Sequence, residues 1–559
     1  MARKVAIGIQ DFDTIIKNNY FYIDKTMFIK EWWESGDNTT LITRPRRFGK
    51  TLNMSMLEKF FSVDYANRSD LFEDLAIWGE EKYRQLQGTY PVISLSFARV
   101  KDTNLNDAKE RLREIIRDVY KQNNYLQANN ALSQEERVYY NNILSDSASE
   151  VEITSALYQL SAFLYRYHGK KVIILLDEYD TPMQEAYVGG YWQELVAFIR
   201  SLFNSTFKTN PYLERGMMTG ITRVSKESIF SDLNHLKVIT ATSDEYATAF
   251  GFTEEEVFAG LDECGFSSKK EMVKHWYDGF SFGSYTDIYN PWSVLNFLDT
   301  GELKPYWVNT SSNTLVSKLI QNSDTDVKMQ MEALLAGKTV HCVLEEQIVY
   351  DQLDANADAI WSLFLASGYL KVIGKENLEE IEYREAQYEL SLTNQEVKLM
   401  FLKLIRDWFS SSKKNYNAFI KALLRNDVRE MNIYINHVSM DVFSYFDTSQ
   451  KEPERFYHGF VLGLMSGLTE EYILTSNRES GYGRYDVVLE PKDSTKNAYI
   501  FEFKVHEPNE EKTLEETVNA ALKQIEEKKY EAALLARGIK NENIFKYGFA
   551  FQGKKVLIG

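Results

Sequence analysis

The sequence predicts an α/β protein: an N-terminal region built on a parallel sheet, a helical middle region, and a second α/β region at the C-terminus. Three observations carry this. Strand-like and helix-like segments alternate up to about Thr240. Within them, Val172-Ile173-Ile174-Leu175-Leu176 is a continuous apolar run, as in strands buried on both faces of a parallel sheet. Near the C-terminus, two strand-like runs, Gly483–Leu489 and Ala498–Val505, flank a polar turn at Lys492–Asn497.

The first strand is Leu41-Ile42. It leads into Arg44-Pro45-Arg46-Arg47-Phe48-Gly49-Lys50-Thr51, and a helix-like segment, Leu52–Phe61, follows. Strand, tight loop, Gly-Lys-Thr and helix is the arrangement of a phosphate-binding loop. Gly49 lets the backbone approach a phosphate, and the amides from Phe48 to Leu52 would open the helix toward the anion. Lys50 would reach the terminal phosphates, and Thr51 would offer its hydroxyl to Mg²⁺. The nucleotide-binding set is therefore Arg47, Phe48, Gly49, Lys50, Thr51 and Leu52. One departure stands out: Arg44 occupies the position of the usual first glycine, and a Gly-Lys-Thr triplet alone is common by chance.

Tyr90–Phe97 is the next strand, Asn106–Asn123 a charged amphipathic helix, and Val151–His168 another. The apolar run at 172–176 then ends in Asp177 and Glu178. Open α/β sheets place their ligands beyond the carboxyl ends of the strands. Asp177 would hold Mg²⁺, directly or through water, and Glu178 would polarise the attacking water. The bland alternative is a buried strand ending in solvated acids. Loop and strand together, in this order, favour a site. Arg215–Arg223 is another short strand with a polar end. There Thr219, Thr222 or Arg223 would sense the γ-phosphate, and Arg223 would supply charge to the transition state; a surface arginine is the alternative.

From about Phe250 the texture changes. Thr253 caps a helix whose first turn is acidic. Trp276–Gly283 is an aromatic turn with two glycines, read as packing rather than catalysis. Asn290 caps a helix with Pro291 at its first position. Residues 310–450 look mostly helical, broken by strand-like Tyr369–Ile373 and Tyr388–Leu392.

In the C-terminal run, side chains alternate with period two. Glu502 and Lys504 share one face; Phe501, Phe503 and Val505 take the other, which must be core. An antiparallel partner brings Asp486 beside Glu502. The two carboxylates would bind Mg²⁺ or Mn²⁺, which prefer oxygen ligands. Lys504 would orient or activate water, or steady phosphate charge, as in metal-dependent phosphodiester hydrolysis. The following helix, Glu515–Tyr530, puts Gln524 and Lys528 on one face and Tyr530 elsewhere; Gln524 joins the catalytic candidates. A solvated Glu–Lys strand face, or a nuclease-like fold without activity, are the alternatives.

A chain of 559 residues is too long for one core and implies several domains. The net charge of −17 argues against a basic coat for nucleic acid and leaves room for a local basic groove. No apolar stretch approaches a membrane span, the N-terminal Met-Ala-Arg-Lys lacks a signal-peptide core, and Cys264 and Cys342 make no disulfide framework or zinc cluster. The expectation is a cytoplasmic protein with no membrane partner.

Several segments together resemble a bacterial family that joins an AAA-ATPase-like domain to a C-terminal PD-(D/E)XK nuclease superfamily domain. They are Ile7–Phe12, Tyr22–Thr26, Arg44–Thr51, Leu176–Asp180, Thr219-Gly220, Ser228–Ser231, Asn290–Ser293 and Glu502-Phe503-Lys504. The resemblance spans nearly the whole chain, and in it the arginine heading the loop looks like a family feature. It implies a P-loop NTPase fold with parallel sheet, binding of ATP or ADP, and a nuclease-type C-terminal fold. The ATPase part is also similar to the STAND class, where a nucleotide switch controls an attached module and a small helical or winged-helix domain follows the core. The expected domains are 1–245, 246–400 and 401–559. The expected function is ATP binding and hydrolysis coupled to a metal-dependent nuclease acting on nucleic acid, with DNA favoured by analogy. The alternative is a nucleotide sensor whose nuclease-like domain binds a partner without cutting. The oligomeric state stays open, including whether Arg223 acts within its subunit or across an oligomer interface.

Overall fold

In a computed structural model of the protein, the described residues are 3–128, 132–223, 230, 233, 235–308, 310, 316, 319–320, 325–335, 337–344, 357–376, 386–408, 413–442, 465, 468, 471–476, 479–480, 483–484, 486–507, 511–552 and 555–559. Ser228, Ile229, Ser231 and Tyr485 lie outside them. The chain divides into two compact units, residues 1–315 with 341–397, and 316–340 with 398–559.

The first unit is built on five parallel strands: β1 (Thr39–Thr43), β2 (Val92–Ser96), β3 (Val172–Asp177), β4 (Leu213–Gly220) and β5 (Leu236–Ile239). Their order across the sheet is β2-β3-β4-β1-β5, every pairing parallel. Both β1 and β3 are buried at every position, which is why they read as unbroken apolar or threonine-rich runs. On one face Ile42, Ile173, Leu175, Met217 and Ile239 pack against Met54, Leu57, Phe60 and Phe61 of the Lys50–Phe61 helix, with Phe28 and Trp32 closing the cluster. The order places β4 between β1 and β3, so the loop after β1 and the acids after β3 flank the end of β4. The segment read as one helix at 151–168 is two, Glu150–Thr154 and Ala156–His168, and Ser149 opens the first with a capping box to Glu152.

Beyond β5 the unit is helical with small antiparallel sheets. Thr253 and Glu256 form a capping box on the Glu254–Glu263 helix, and Asn290 caps Pro291–Thr300 through the Trp292 and Ser293 amides. Phe280–Phe282 and Tyr285–Tyr289 form a hairpin, as do Leu370–Lys375 and Gln387–Leu392.

The second unit carries a mixed sheet: β6 (Tyr472–Ser476), β7 (Val487–Pro491), β8 (Ala498–Val505), β9 (Ile544–Gln552) and β10 (Lys555–Ile558), in that order. Only β8 and β9 run parallel, with the Leu514–Lys528 helix between them in sequence. One face of β8 gives Tyr499, Phe501 and Phe503 to a core shared with Phe419, Leu423, Met431 and Ile435. The other gives Ala498 and Ile500 to a smaller core with Ile525, Tyr530 and Leu534. Gly548, paired with Glu502, lies under the Leu514–Lys528 helix; a Cβ there would stand 2.7 Å from the Val518 carbonyl oxygen. The helix therefore comes down over the Glu502 face because this position lacks a side chain.

Candidate functional site

The loop after β1 takes its shape because Gly49 adopts a left-handed φ of 83° and starts the helix at Lys50. The first intrahelical bond runs from the Asn53 amide to the Gly49 carbonyl, so the amides of Lys50, Thr51 and Leu52 have no helical acceptor. Arg47 also has a left-handed φ, 63°, unusual for a side-chain-bearing residue. Lys50 folds over the loop and donates to the Arg44 and Pro45 carbonyls, both at 2.8 Å. Burial lowers its pKa to about 8, against the raising pull of Asp177, Asp180 and Glu178.

Arg44 has no left-handed φ, so its position does not require glycine. Its side chain turns down to the sheet edge, donating to the carbonyls of Thr43 at 3.0 Å, Thr240 at 2.7 Å and Glu245 at 3.3 Å. Its guanidinium lies 4.2 Å from the Phe282 ring centre. This buried arginine joins the ends of β1 and β5. Burial lowers its pKa to about 9.

Across β4, Thr51 donates to Asp177 Oδ2 at 2.6 Å, while Thr219 donates to Asp177 Oδ1. Helix start, β3 end and β4 end thus meet on one carboxylate. Glu178 follows with φ 52°, a strained conformation for glutamate, its amide on Asp177 Oδ1 at 3.0 Å and its carboxylate receiving the Thr181 hydroxyl at 3.1 Å. Asp180 is buried and accepts from the Ile221 amide and from both the amide and hydroxyl of Thr222. These bonds from Thr222 to Asp180 fix the turn after β4. Arg223 comes next, half-buried. The Thr51 hydroxyl and Asp177 carboxylate are hard oxygen donors of the kind Mg²⁺ takes.

The aromatic stretch beyond residue 250 touches the loop itself, which the sequence did not reveal. Phe48 is fully buried edge-on between Phe280 and Phe282, ring centres 4.8 and 5.6 Å away. The Arg47 guanidinium lies 4.4 Å from the Trp292 ring centre. The Arg46 carbonyl accepts from Trp307 Nε1 at 2.9 Å and Asn290 Nδ2 at 3.3 Å. Behind these stands Glu396, fully buried, accepting from the Trp307 amide at 2.6 Å and the Ser293 hydroxyl at 2.9 Å. Desolvation pushes its carboxyl up to about 7, opposed by Ser293 and the amides of Trp307, Val308 and Tyr306. With a folded pKa above the unfolded 4.5, its stabilising proton is fully present below about pH 4.5 and lost as pH rises through 7. Glu396→Gln is expected to flatten this part of the pH–stability curve, on the order of 3 kcal/mol. Denaturant titrations of both proteins between about pH 5 and 8 check it.

In the second unit, the Val487↔Phe501 register carries Asp486 opposite Glu502. The Phe503 amide donates to Asp486 Oδ2 at 2.8 Å. Glu502 is 2% exposed and accepts from Gln524 Nε2. Lys504 lies two positions along on the same face, half-buried. The helix ends at Lys528, with Lys529 left-handed at φ 51°, and the chain turns back. Tyr530 therefore faces the site, its hydroxyl 3.3 Å from Gln524 Nε2, correcting the expectation that it points elsewhere. Burial raises its pKa, with the charges of Glu502 and Asp486 adding to the rise. Two carboxylates without histidine or cysteine suit a hard divalent cation.

Among the described residues no helix is long and apolar enough to cross a membrane. Residues 6–230 match a family described as Predicted AAA-ATPase, and residues 452–559 match the PD-(D/E)XK nuclease superfamily. Domains of these kinds generally use a nucleotide and a divalent metal. Over 552 residues, covering 96% of this chain and 94% of the relative, the chain is 24% identical to a protein of Azotobacter chroococcum mcd 1 described as "Uncharacterized protein in vnfD 5'region". The chain thus combines an N-terminal AAA-ATPase-like domain with a C-terminal domain of the PD-(D/E)XK nuclease superfamily.

Proposed function

We propose that the protein binds and hydrolyses ATP and that its C-terminal domain cuts nucleic acid, DNA in preference, with a divalent metal. The observation that carries the first half is the meeting of the Thr51 hydroxyl and the Asp177 carboxylate, 2.6 Å apart, beside a lysine-bearing loop. Mg²⁺ held by Thr51 and Asp177 would neutralise phosphate charge. Lys50, the loop amides and the helix start bind the phosphates. Glu178 orients the attacking water. Thr219 fixes the rotamer of Asp177, and Arg223 supplies charge to the transition state. The domain limits 1–245, 246–400 and 401–559 belong to the same proposal.

In the second half, Asp486 and Glu502 hold Mg²⁺ or Mn²⁺, which would supply Lewis acidity at the scissile phosphate. Lys504 orients the water or steadies phosphate charge, and Gln524 fixes Glu502. The protein acts in the cytoplasm, without a membrane partner.

Glu178→Gln is expected to keep ATP bound while slowing hydrolysis about a hundredfold, as loss of a positioned general base does. Asp177→Asn should instead weaken the dependence on Mg²⁺. Steady-state phosphate release, with calorimetric binding alongside, tests both. Wild-type rates in both variants would reduce the end of β3 to a structural feature.

A further inference from the structure

We propose that Trp307 and Asn290 are positioning residues of the phosphate loop: by donating to the Arg46 carbonyl, they set the direction of the Arg47 amide that the loop offers to a nucleotide's phosphates. This rests on the nucleotide-binding reading above and adds a dependence on the segment beyond residue 250.

The peptide unit is planar, and no cis bond occurs among the described residues, so carbonyl and following amide point opposite ways. Holding the Arg46 oxygen therefore aims the Arg47 N–H. Three successive carbonyls of the loop are occupied by side-chain donors: Arg44 and Pro45 by Lys50, and Arg46 by Trp307 and Asn290. When Lys50 turns to a phosphate it releases its two carbonyls. The Arg46 carbonyl keeps its anchors. Arg47 has a left-handed φ of 63°, which costs an L-residue on the order of 1 kcal/mol, so the loop shape is one its surroundings must impose.

The anchors are themselves fixed. Asn290 Oδ1 caps the helix, taking the Trp292 amide at 2.9 Å and the Ser293 amide at 3.3 Å, which leaves the NH₂ group to face Arg46. Glu396 holds the Trp307 amide, and the Trp307 ring packs on Phe280, centres 5.4 Å apart. Phe280 in turn packs on Phe48 of the loop. The two donors come from residues 244 and 261 positions away from Arg46, so this is tertiary support and not local loop structure.

Trp307→Phe removes the donor and keeps a ring. Asn290→Asp keeps the capping oxygen and sets a second oxygen against the Arg46 carbonyl. In the full chain, each is expected to weaken ATP·Mg²⁺ binding about five- to tenfold by calorimetry, the loss of one hydrogen bond or more. Deuterium exchange of residues 44–49 in the nucleotide-free protein should speed up in both. Trp276→Phe, on a helix of the same segment, should behave as wild type in both measurements. Should Trp307→Phe not fold, Asn290→Asp decides alone. Wild-type affinity and wild-type loop exchange would overturn the proposal. So would lost affinity with a lowered melting temperature and unchanged loop exchange, the pattern of a purely structural role. Lys50→Ala binding ATP like wild type would instead overturn the nucleotide reading of the loop.

Discussion

Lys50→Ala is expected to abolish tight ATP·Mg²⁺ binding and leave the fold intact. The ammonium rests on the Arg44 and Pro45 carbonyls, at the mouth of the helix N-terminus. From there it would meet the β and γ phosphates. Hydrogen bonds to charged groups contribute roughly 1.5–3 kcal/mol each, so losing two predicts affinity down by a factor of about a hundred to ten thousand. Alanine is a strong helix former, so the Lys50–Phe61 helix should persist. Calorimetry, with circular dichroism for the fold, measures both. Unchanged affinity would remove the loop from the nucleotide site.

Asp486→Ala and Glu502→Ala should each eliminate metal-dependent cleavage, by about a thousandfold or more, since the ion's charge stabilisation is worth several kcal/mol. ATP binding should not change, because the acids lie in the second compact unit. Lys504→Ala should lose cleavage yet retain the metal, because an ammonium has no lone pair to ligate with. Isothermal titration with Mn²⁺, beside a cleavage assay, separates the three variants. Loss of cleavage in Lys504→Ala together with loss of metal would assign the lysine a structural role.

Much of this arrangement was legible because it rests on local pattern. The unbroken apolar run of β3 announced burial on both faces, and the alternation along β8 put Phe501 and Phe503 in the core and Glu502 opposite. The hairpin placed Asp486 across from Glu502 by register alone. Three features were not legible, each for a physical reason. Tyr530 reaches Gln524 only because the helix stops at a left-handed Lys529, and a lysine there carries none of the glycine signal that usually marks such an end. Arg44 stands where the usual loop carries glycine, and local pattern assigns its side chain no task; it binds the Thr240 carbonyl and lies against the Phe282 ring, contacts made far along the chain. The support of the loop by Asn290, Trp292, Trp307 and Glu396 is likewise non-local. The aromatic residues of that stretch read correctly as packing, but periodicity cannot say what they pack against.

The central claim is that one chain joins a nucleotide site to a metal-dependent nuclease site. Incubation of the purified full chain with plasmid, with and without ATP, in Mg²⁺ and in Mn²⁺, tests it most directly. Cleavage should need the metal, respond to ATP, and disappear in Glu502→Ala. A preparation that neither cleaves nor binds metal under any nucleotide condition would contradict it.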